Sequence, residues 1–295
     1  PMSELLIQIT RWLSMPSHKV LLLSFLVVSC MQNEQQEPTL FTKLDPSRTG
    51  IDFENTIDLF GETNIYNYRN YYNGGGVAIA DVNDDGYPDI FFTSNQESNR
   101  LFLNKGGFSF VDITNESGIA GSRPWSTGVT TLDINHDGAV DFYVGASGEN
   151  ENRRNQLFVQ IGTRVHINEV GDTLVVPRYE DQAQMYGLDH DGMTISSTLF
   201  DYNGDDLLDL YIQNNEEKAI DSFDLSKNER LVTSKTGGDQ LFMREGDQYR
   251  NVTSEAGIYS SIIGFTLSAT ASDVNNDGFT DLFVANDFFE RDYLY

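Results

Sequence analysis

Only one of the 295 residues, Cys30, is a cysteine, so no disulfide can form within the chain. Basic side chains are scarce as well: 19 Lys and Arg stand against 45 Asp and Glu, a formal net charge of −26 with a pI near 4.2. That balance excludes the broad basic face which nucleic acid or an anionic membrane surface would require. The apolar run Val20–Val28 is too short to span a bilayer. Signatures of catalysis are missing too, with no G-x-S-x-G, no H-E-x-x-H and no P-loop. Trp12 and Trp125 are the two tryptophans, so a Trp-lined sugar platform is not indicated, although exposed tyrosines could serve. What the chain does have is 14 Tyr and 19 Phe, enough aromatic mass to build a core in spite of its charge.

One phrase is written four times. It reads Asp81, Asn83, Asp85, Tyr87, Asp89 at positions 1, 3, 5, 7 and 9, then Asp133, Asn135, Asp137, Ala139, Asp141, then Asp201, Asn203, Asp205, Leu207, Asp209, and finally Asp273, Asn275, Asp277, Phe279, Asp281. Side-chain oxygens at 1, 3, 5 and 9 and a backbone carbonyl at 7 suit a hard cation, and calcium takes six to eight oxygens. Four Ca²⁺ sites are therefore expected, with position 9 closing each shell. An EF-hand is excluded, since it needs a Glu at position 12 and flanking helices. Here position 12 is Phe92, Val144, Ile212 or Val284, and the flanks read as short strands. A metal-free Asp/Asn/Gly turn is the competing reading, but turn chemistry alone does not demand Asp at position 9. Glycine fills position 6 except in the third copy, where Asp206 stands. That departure predicts a strained, weaker third site, at which Asp209→Ala should matter least. The loops hold 14 aspartates and should repel themselves without metal.

Taken in order, residues 1–30 read as a targeting segment. Lys19 gives a positive start, Val20–Val28 an apolar stretch, and Val27-Val28-Ser29-Cys30 resembles a bacterial lipoprotein box with Cys30 as the lipidated residue. The expected location is accordingly the outer membrane or cell surface of an exporting bacterium, held only through that anchor. Residues 31–39 are polar and read as a tether. From residue 40 two further phrases recur. One is Asn99-Arg-Leu-Phe, Asn155-Gln-Leu-Phe, Asp239-Gln-Leu-Phe and Asp292-Tyr-Leu-Tyr. The other is an aromatic segment ending in Gly-Ile or Gly-Leu, at Gly118-Ile119, Gly187-Leu188 and Gly257-Ile258, with an echo at Gly50-Ile51. The unit is thus strand, Asp loop, strand, Leu-Phe strand, and an aromatic strand closing on Gly-Ile. Four short strands per unit is the signature of a propeller blade. The expected fold is an all-β propeller over residues 40–295, its Ca-binding loops between the first and second strands of each blade. The loop starts at 81, 133, 201 and 273 are 52, 68 and 72 residues apart, so the longer units should carry polar loops at about 161–176 and 216–238. Phe41–Leu44 reads as an orphan strand that completes a last blade, and Tyr293–Tyr295 as a unit broken off at its third strand, leaving an open sheet edge at each end. The four histidines are expected to be solvated: His18 in the leader, His136 at a variable loop position, His166 in an insertion and His190 in an inter-blade turn.

Gly75-Gly-Val-Ala-Ile-Ala-Asp81-Val-Asn-Asp-Asp-Gly-Tyr-Pro-Asp89-Ile resembles an FG-GAP/VCBS repeat, the unit of the integrin α propeller. With the Leu-Phe and Gly-Ile phrases the chain is similar to the bacterial, cartilage-acidic-protein-like branch, often associated with an ASPIC/UnbV domain. The resemblance implies a ring of seven blades, of which about four are present in this N-terminal portion, and calcium in the Asp loops. Two classes of function are compatible with it. The first is a cell-surface module that binds a protein or glycan ligand, with no catalytic residue. The alternative is a propeller hydrolase or lyase acting on extracellular polysaccharide. The inner-strand segments Gly76–Ala80, Gly128–Leu132, Ser196–Phe200 and Ser268–Ser272 are mostly small or hydroxylated and offer no acid–base pair.

Overall fold

The computed structural model describes residues 40–295 apart from 62, 124, 149–151, 169–170 and 217–225. Among the described residues fifteen strands form four antiparallel sheets, the blades of a β-propeller, and strand order follows the chain within each. Blade I holds β1 (Val77–Ala80), β2 (Asp89–Phe92), β3 (Arg100–Asn104) and β4 (Phe110–Asp112). Blade II holds β5 (Ser126–Leu132), β6 (Asp141–Ala146), β7 (Gln156–Ile167) and β8 (Thr173–Asp181). Blade III holds β9 (Thr194–Phe200), β10 (Asp209–Asn214), β11 (Gln240–Glu245) and β12 (Gln248–Asn251). Blade IV has three strands, β13 (Thr266–Ser272), β14 (Asp281–Asn286) and β15 (Tyr293–Leu294).

The Leu-Phe phrase follows from how blades stack. Successive strand residues point to opposite faces of a sheet, and an interior blade has a neighbour on both faces. Leu157 therefore packs into the cluster shared with blade III while Phe158 packs back into the cluster shared with blade I. Leu241 and Phe242 repeat the division one blade on. The preceding Asn or Asp ties the turn from second to third strand. Its Oδ1 accepts an amide N–H at the end of the second strand in every blade: Ser94 to Asn99 (3.1 Å), Ala146 to Asn155 (2.8 Å), Asn214 to Asp239 (2.8 Å) and Asn286 to Asp292 (2.8 Å).

Three sequence expectations are corrected here. The Gly-Ile phrase does not end a strand; a single helical turn separates the aromatic strand from the glycine. These turns are α1 (Pro46–Thr49), α2 (Thr114–Ser117) and α3 (Ala183–Tyr186), each closed by a left-handed glycine, Gly50, Gly118 or Gly187, at φ 77, 76 and 73°. A Cβ at Gly118 would lie 3.3 Å from the Tyr179 carbonyl oxygen, and one at Gly187 3.0 Å from that of Tyr249. Each cap thus abuts the outer strand of the following blade, which adds a steric demand for glycine to the conformational one. Residues 41–44 form no strand; what echoes the repeat there is the helical turn α1. The segment 161–176 is not a polar loop either. Residues 161–167 and 173–176 prolong β7 and β8 into a ribbon past a bulge between Gln160 and Thr163.

Residues 52–61 and 63–74, to which the sequence assigns no role, run across the blade ends that carry the second-to-third-strand turns. Phe53 stacks on Phe92 of blade I, with centroids 4.7 Å apart. Asn55 Nδ2 donates to Asn95 Oδ1 (2.7 Å), just beyond β2. Tyr68 Oη donates to Ser147 Oγ (2.8 Å), just beyond β6, and Asn70 Nδ2 to Asn215 Oδ1 (2.9 Å), just beyond β10. The Arg69 guanidinium lies 5.2 and 5.1 Å from the ring centroids of Phe265 and Phe288 in blade IV. Tyr68 and Tyr71 are buried against Trp125 and Met193. This strap reaches all four blades.

Candidate metal centres

All four Asp loops fold alike. The position-1 carboxylate accepts the amides of positions 5 and 6: Asp85 N and Gly86 N on Asp81 (3.1 and 2.7 Å), Asp137 N and Gly138 N on Asp133 (3.1 and 2.9 Å), Asp205 N and Asp206 N on Asp201 (3.2 and 2.9 Å), and Asp277 N and Gly278 N on Asp273 (3.1 and 2.9 Å). The position-5 Oδ1 accepts the amide of position 7, from Tyr87, Ala139, Leu207 or Phe279, at 2.8–2.9 Å. The Asn at position 3 donates to the other oxygen of position 5, for example Asn83 Nδ2 to Asp85 Oδ2 at 3.0 Å.

Two backbone positions in each loop are left-handed, 4 and 6. They are Asp84 and Gly86, His136 and Gly138, Gly204 and Asp206, and Asn276 and Gly278. Every loop therefore carries one glycine and one residue tolerated at positive φ. The third copy has its glycine at position 4 and its Asp at position 6, an exchange rather than an added strain, and it makes the bonds of the others plus one from Gly204 N to Asp201 Oδ1 at 2.7 Å.

Position 9 is built differently from the rest. Asp89, Asp141 and Asp209 are buried, and both oxygens of each are engaged by amides. Oδ2 accepts from Val82 (2.9 Å), Ile134 (2.9 Å) or Tyr202 (2.8 Å), while Oδ1 accepts from Asn104 (2.7 Å), Gln160 (2.8 Å) or Arg244 (2.7 Å) on the third strand. Asp281 has only the first kind of bond, from Val274 N at 2.9 Å. Burial pushes the Asp89 and Asp141 carboxyls up to about 6, against the pull of these amides and with a further push from the position-5 and position-1 carboxylates. Asp209 is raised for the same reasons.

The donor set fits a hard cation in kind: oxygens only, with three aspartates, an asparagine and a carbonyl in each loop. Among the described residues no three His, Cys, Asp or Glu side chains form a ready metal cluster; the loop carboxylates instead accept the loop amides. In loops II, III and IV the Asn Oδ1 also accepts the position-5 amide, at 2.8–3.1 Å. In loop I, Asn83 Oδ1 is buried without a hydrogen-bond partner. An orphaned acceptor of this kind is what a cation would satisfy. Loop I is also the one that the β7–β8 ribbon overhangs. Lys105 Nζ pairs with Asp172 Oδ2 at 2.6 Å, and Asn83 Nδ2 reaches Val175 O at 3.5 Å. Between them lies a groove of about 690 Å³ lined by Asn83, Asp84, Tyr87, Lys105, Asp172 and Val175.

The histidines divide. His136 sits exposed in loop II, and His166 Nε2 lies 4.0 Å from Glu116 Oε1. His190 is not solvated as expected. It packs edge-on to Phe242, with Nε2 3.2 Å from Asn214 Nδ2, and burial lowers it to about 4. Cys30 lies outside the described residues.

Residues 81–144, which carry the first two Asp loops, match the family of FG-GAP-like repeats. The chain is similar, over about a third of its length, to cartilage acidic protein 1. Identity is 37% over 95 residues with the Xenopus tropicalis protein, 32% over 93 with the Homo sapiens protein and 32% over 91 with the Mus musculus protein. Those matches cover 32, 32 and 31% of this chain and 14% of each relative's own length.

Proposed function

We propose that this chain is a calcium-stabilised, exported β-propeller module that binds a protein or glycan and carries no catalytic centre. The observation behind the metal is the loop chemistry. Four loops concentrate aspartates around oxygen donors, the buried position-9 carboxyls are pushed up in part by their neighbours, and loop I leaves a buried amide oxygen unpartnered. A divalent cation would offset that repulsion, and by binding only the folded chain it would stabilise it. With no intrachain disulfide available, metal is the staple such an exported domain would use.

The interaction reading rests on the FG-GAP-like repeat and on the way the described residues use their acids. In the Asp loops the carboxylates at positions 1, 5 and 9 are committed to backbone amides rather than to a general acid–base pair. In this reading Cys30 carries a lipid that holds the domain at the bacterial surface. The test is calorimetry in EDTA and in millimolar calcium. Calcium should raise the melting temperature, and identical curves would reject the metal. For the anchor, Cys30→Ala should leave the membrane fraction; retention there would reject lipidation. A protein and glycan array on the full-length chain then seeks the ligand.

A further inference from the structure

The sequence contains one tripeptide twice, Tyr72-Asn73-Gly74 and Tyr202-Asn203-Gly204, and the fold treats the two in opposite ways. Asparagine before glycine is the pair most prone to spontaneous deamidation, because no Cβ shields the following amide. The nitrogen of residue n+1 gives its proton to solvent and attacks the Asn Cγ. The Cγ–Nδ2 bond breaks and ammonia leaves. Water then opens the resulting five-membered imide to an aspartyl or an isoaspartyl linkage. Nothing but water is consumed.

At the first site nothing opposes this. Asn73 is exposed, and among the described residues neither its side chain nor the Gly74 N–H makes a hydrogen bond. Gly74 has φ 78°, and a Cβ there would meet nothing within 4 Å. At the second site every atom of the reaction is held. Gly204 N donates to Asp201 Oδ1 (2.7 Å), Asn203 Oδ1 accepts from Asp205 N (3.1 Å), and Asn203 Nδ2 donates to Asp205 Oδ2 (2.9 Å).

We infer that Asn73 is a deamidation site of the folded protein, that Asn203 is shielded by the third Asp loop, and that conversion at 73 loosens the strap. The position explains the consequence. Three residues earlier Asn70 is buried and bonded to Asn215, and two residues later Gly75 backs onto the Thr93 carbonyl so closely that a Cβ could not be placed. An isoaspartyl linkage adds one backbone carbon between these fixed points, together with a negative charge on a chain already at −26.

The full chain, incubated at neutral pH with EDTA so that metal plays no part, would be digested and its two Tyr-Asn-Gly peptides followed by mass spectrometry. A parallel sample is held in urea. In urea the identical tripeptides should convert at matching rates. In the native chain Asn73 should keep that rate while Asn203 slows by on the order of tenfold or more, since its bonds must open first. Hydrogen exchange over residues 64–72 should quicken as position 73 converts, and stay unchanged in Asn73→Gln. Equal native rates, or faster conversion at 203, would overturn the assignment. Unchanged exchange after conversion would overturn the link to the strap.

Discussion

Replacing Phe91 by Tyr should stabilise this protein, although the site is fully buried and sits in a packed cluster. The reasoning comes from comparing blades in register. Phe91, Tyr143 and Tyr211 occupy the same place on the second strand, opposite Leu101, Leu157 and Leu241. Two residues before those leucines stand Asn99, Asn155 and Asp239. In blade II, Tyr143 Oη accepts from Asn155 Nδ2 (2.9 Å) and donates to the carbonyl of Leu188 (3.0 Å). In blade III, Tyr211 Oη donates to Asp239 Oδ2 (2.6 Å). Blade I has no hydroxyl to offer, and Asn99 Nδ2 is buried without a partner. An unmet buried donor costs about 1–3 kcal/mol. A hydroxyl at position 91 would meet Asn99 and find an acceptor in the carbonyl of Ile119, which follows Gly118 as Leu188 follows Gly187. One added oxygen in a tight core carries a packing penalty on the order of 1 kcal/mol, so the net gain should be about 0.5–1.5 kcal/mol. Urea melts of wild type, Phe91→Tyr, Asn99→Ala and the double variant would measure it. The cycle should give a coupling near 1 kcal/mol between the two positions. Zero coupling, or a destabilised Phe91→Tyr, would show that the blades are not equivalent at this point.

Three other outcomes can be checked. Asp137→Ala removes an exposed candidate ligand, so it should change the EDTA melting curve by no more than about 0.5 kcal/mol while reducing the calcium-induced rise; a full rise would exclude loop II as a site. Asp239 is pushed up to about 6 by burial, against hydrogen bonds from Thr266, Tyr211 and the Asn214 amide. Its proton is bound more tightly in the fold than in the unfolded chain, so its contribution is present below about pH 4 and lost as pH rises through 6. Asp239→Asn should remove that decline. His190 runs the other way. Burial lowers it from 6.5 to about 4, the unfolded chain binds the extra proton between those values, and stability should rise with pH across that window; in His190→Gln the rise should vanish. Chemical denaturation at a series of pH values reads both, and unchanged slopes would show that neither group is buried as described.

The blade pattern was legible because burial on both faces of a sheet writes itself into adjacent residues. Leu157 and Phe158 must both be apolar when each faces a different neighbour, so the phrase survives in sequence. The Asp loops were legible because backbone amides demand an acceptor at fixed spacing. The strap was not. Its bonds join Tyr68 to Ser147 and Asn70 to Asn215, far apart in the chain and made by residue types common in any loop. The β7–β8 ribbon escaped for another reason. Val165 and Ile167 lie exposed, and only Leu174 and Val176 on the β8 side turn into the core, so the buried face leaves just two apolar positions to read. The helical turns before Gly118 and Gly187 are four residues long, too short for a period of 3.6 to register. His190 misled because Phe242, which packs on it, belongs to a strand some fifty residues away.

The Asp loop carries two messages that sequence alone runs together. Position 9 is required by the sheet with or without a cation, since it terminates the amides of position 2 and of the third strand. Positions 1 and 5, by contrast, bond amides of the loop itself. Variants at position 9 therefore test the fold, and in EDTA their ranking should follow the hydrogen bonds rather than the glycine pattern. Asp209→Ala and Asp141→Ala each orphan two amides, all buried except the half-buried Tyr202 N, at about 1–3 kcal/mol for each buried one. The deletion also removes a carboxylate that is held above its usual range by burial, which offsets part of the loss, and does so in both. They should thus be comparably damaging, contrary to the weaker effect that Asp206 suggests from sequence. Asp281 bonds a single amide and is only half-buried, so Asp281→Ala should cost the least. Urea melts of the three variants in EDTA decide it. If Asp281→Ala proves the most damaging, position 9 acts through something other than these amides, and if Asp209→Ala proves mild, the third loop is strained after all.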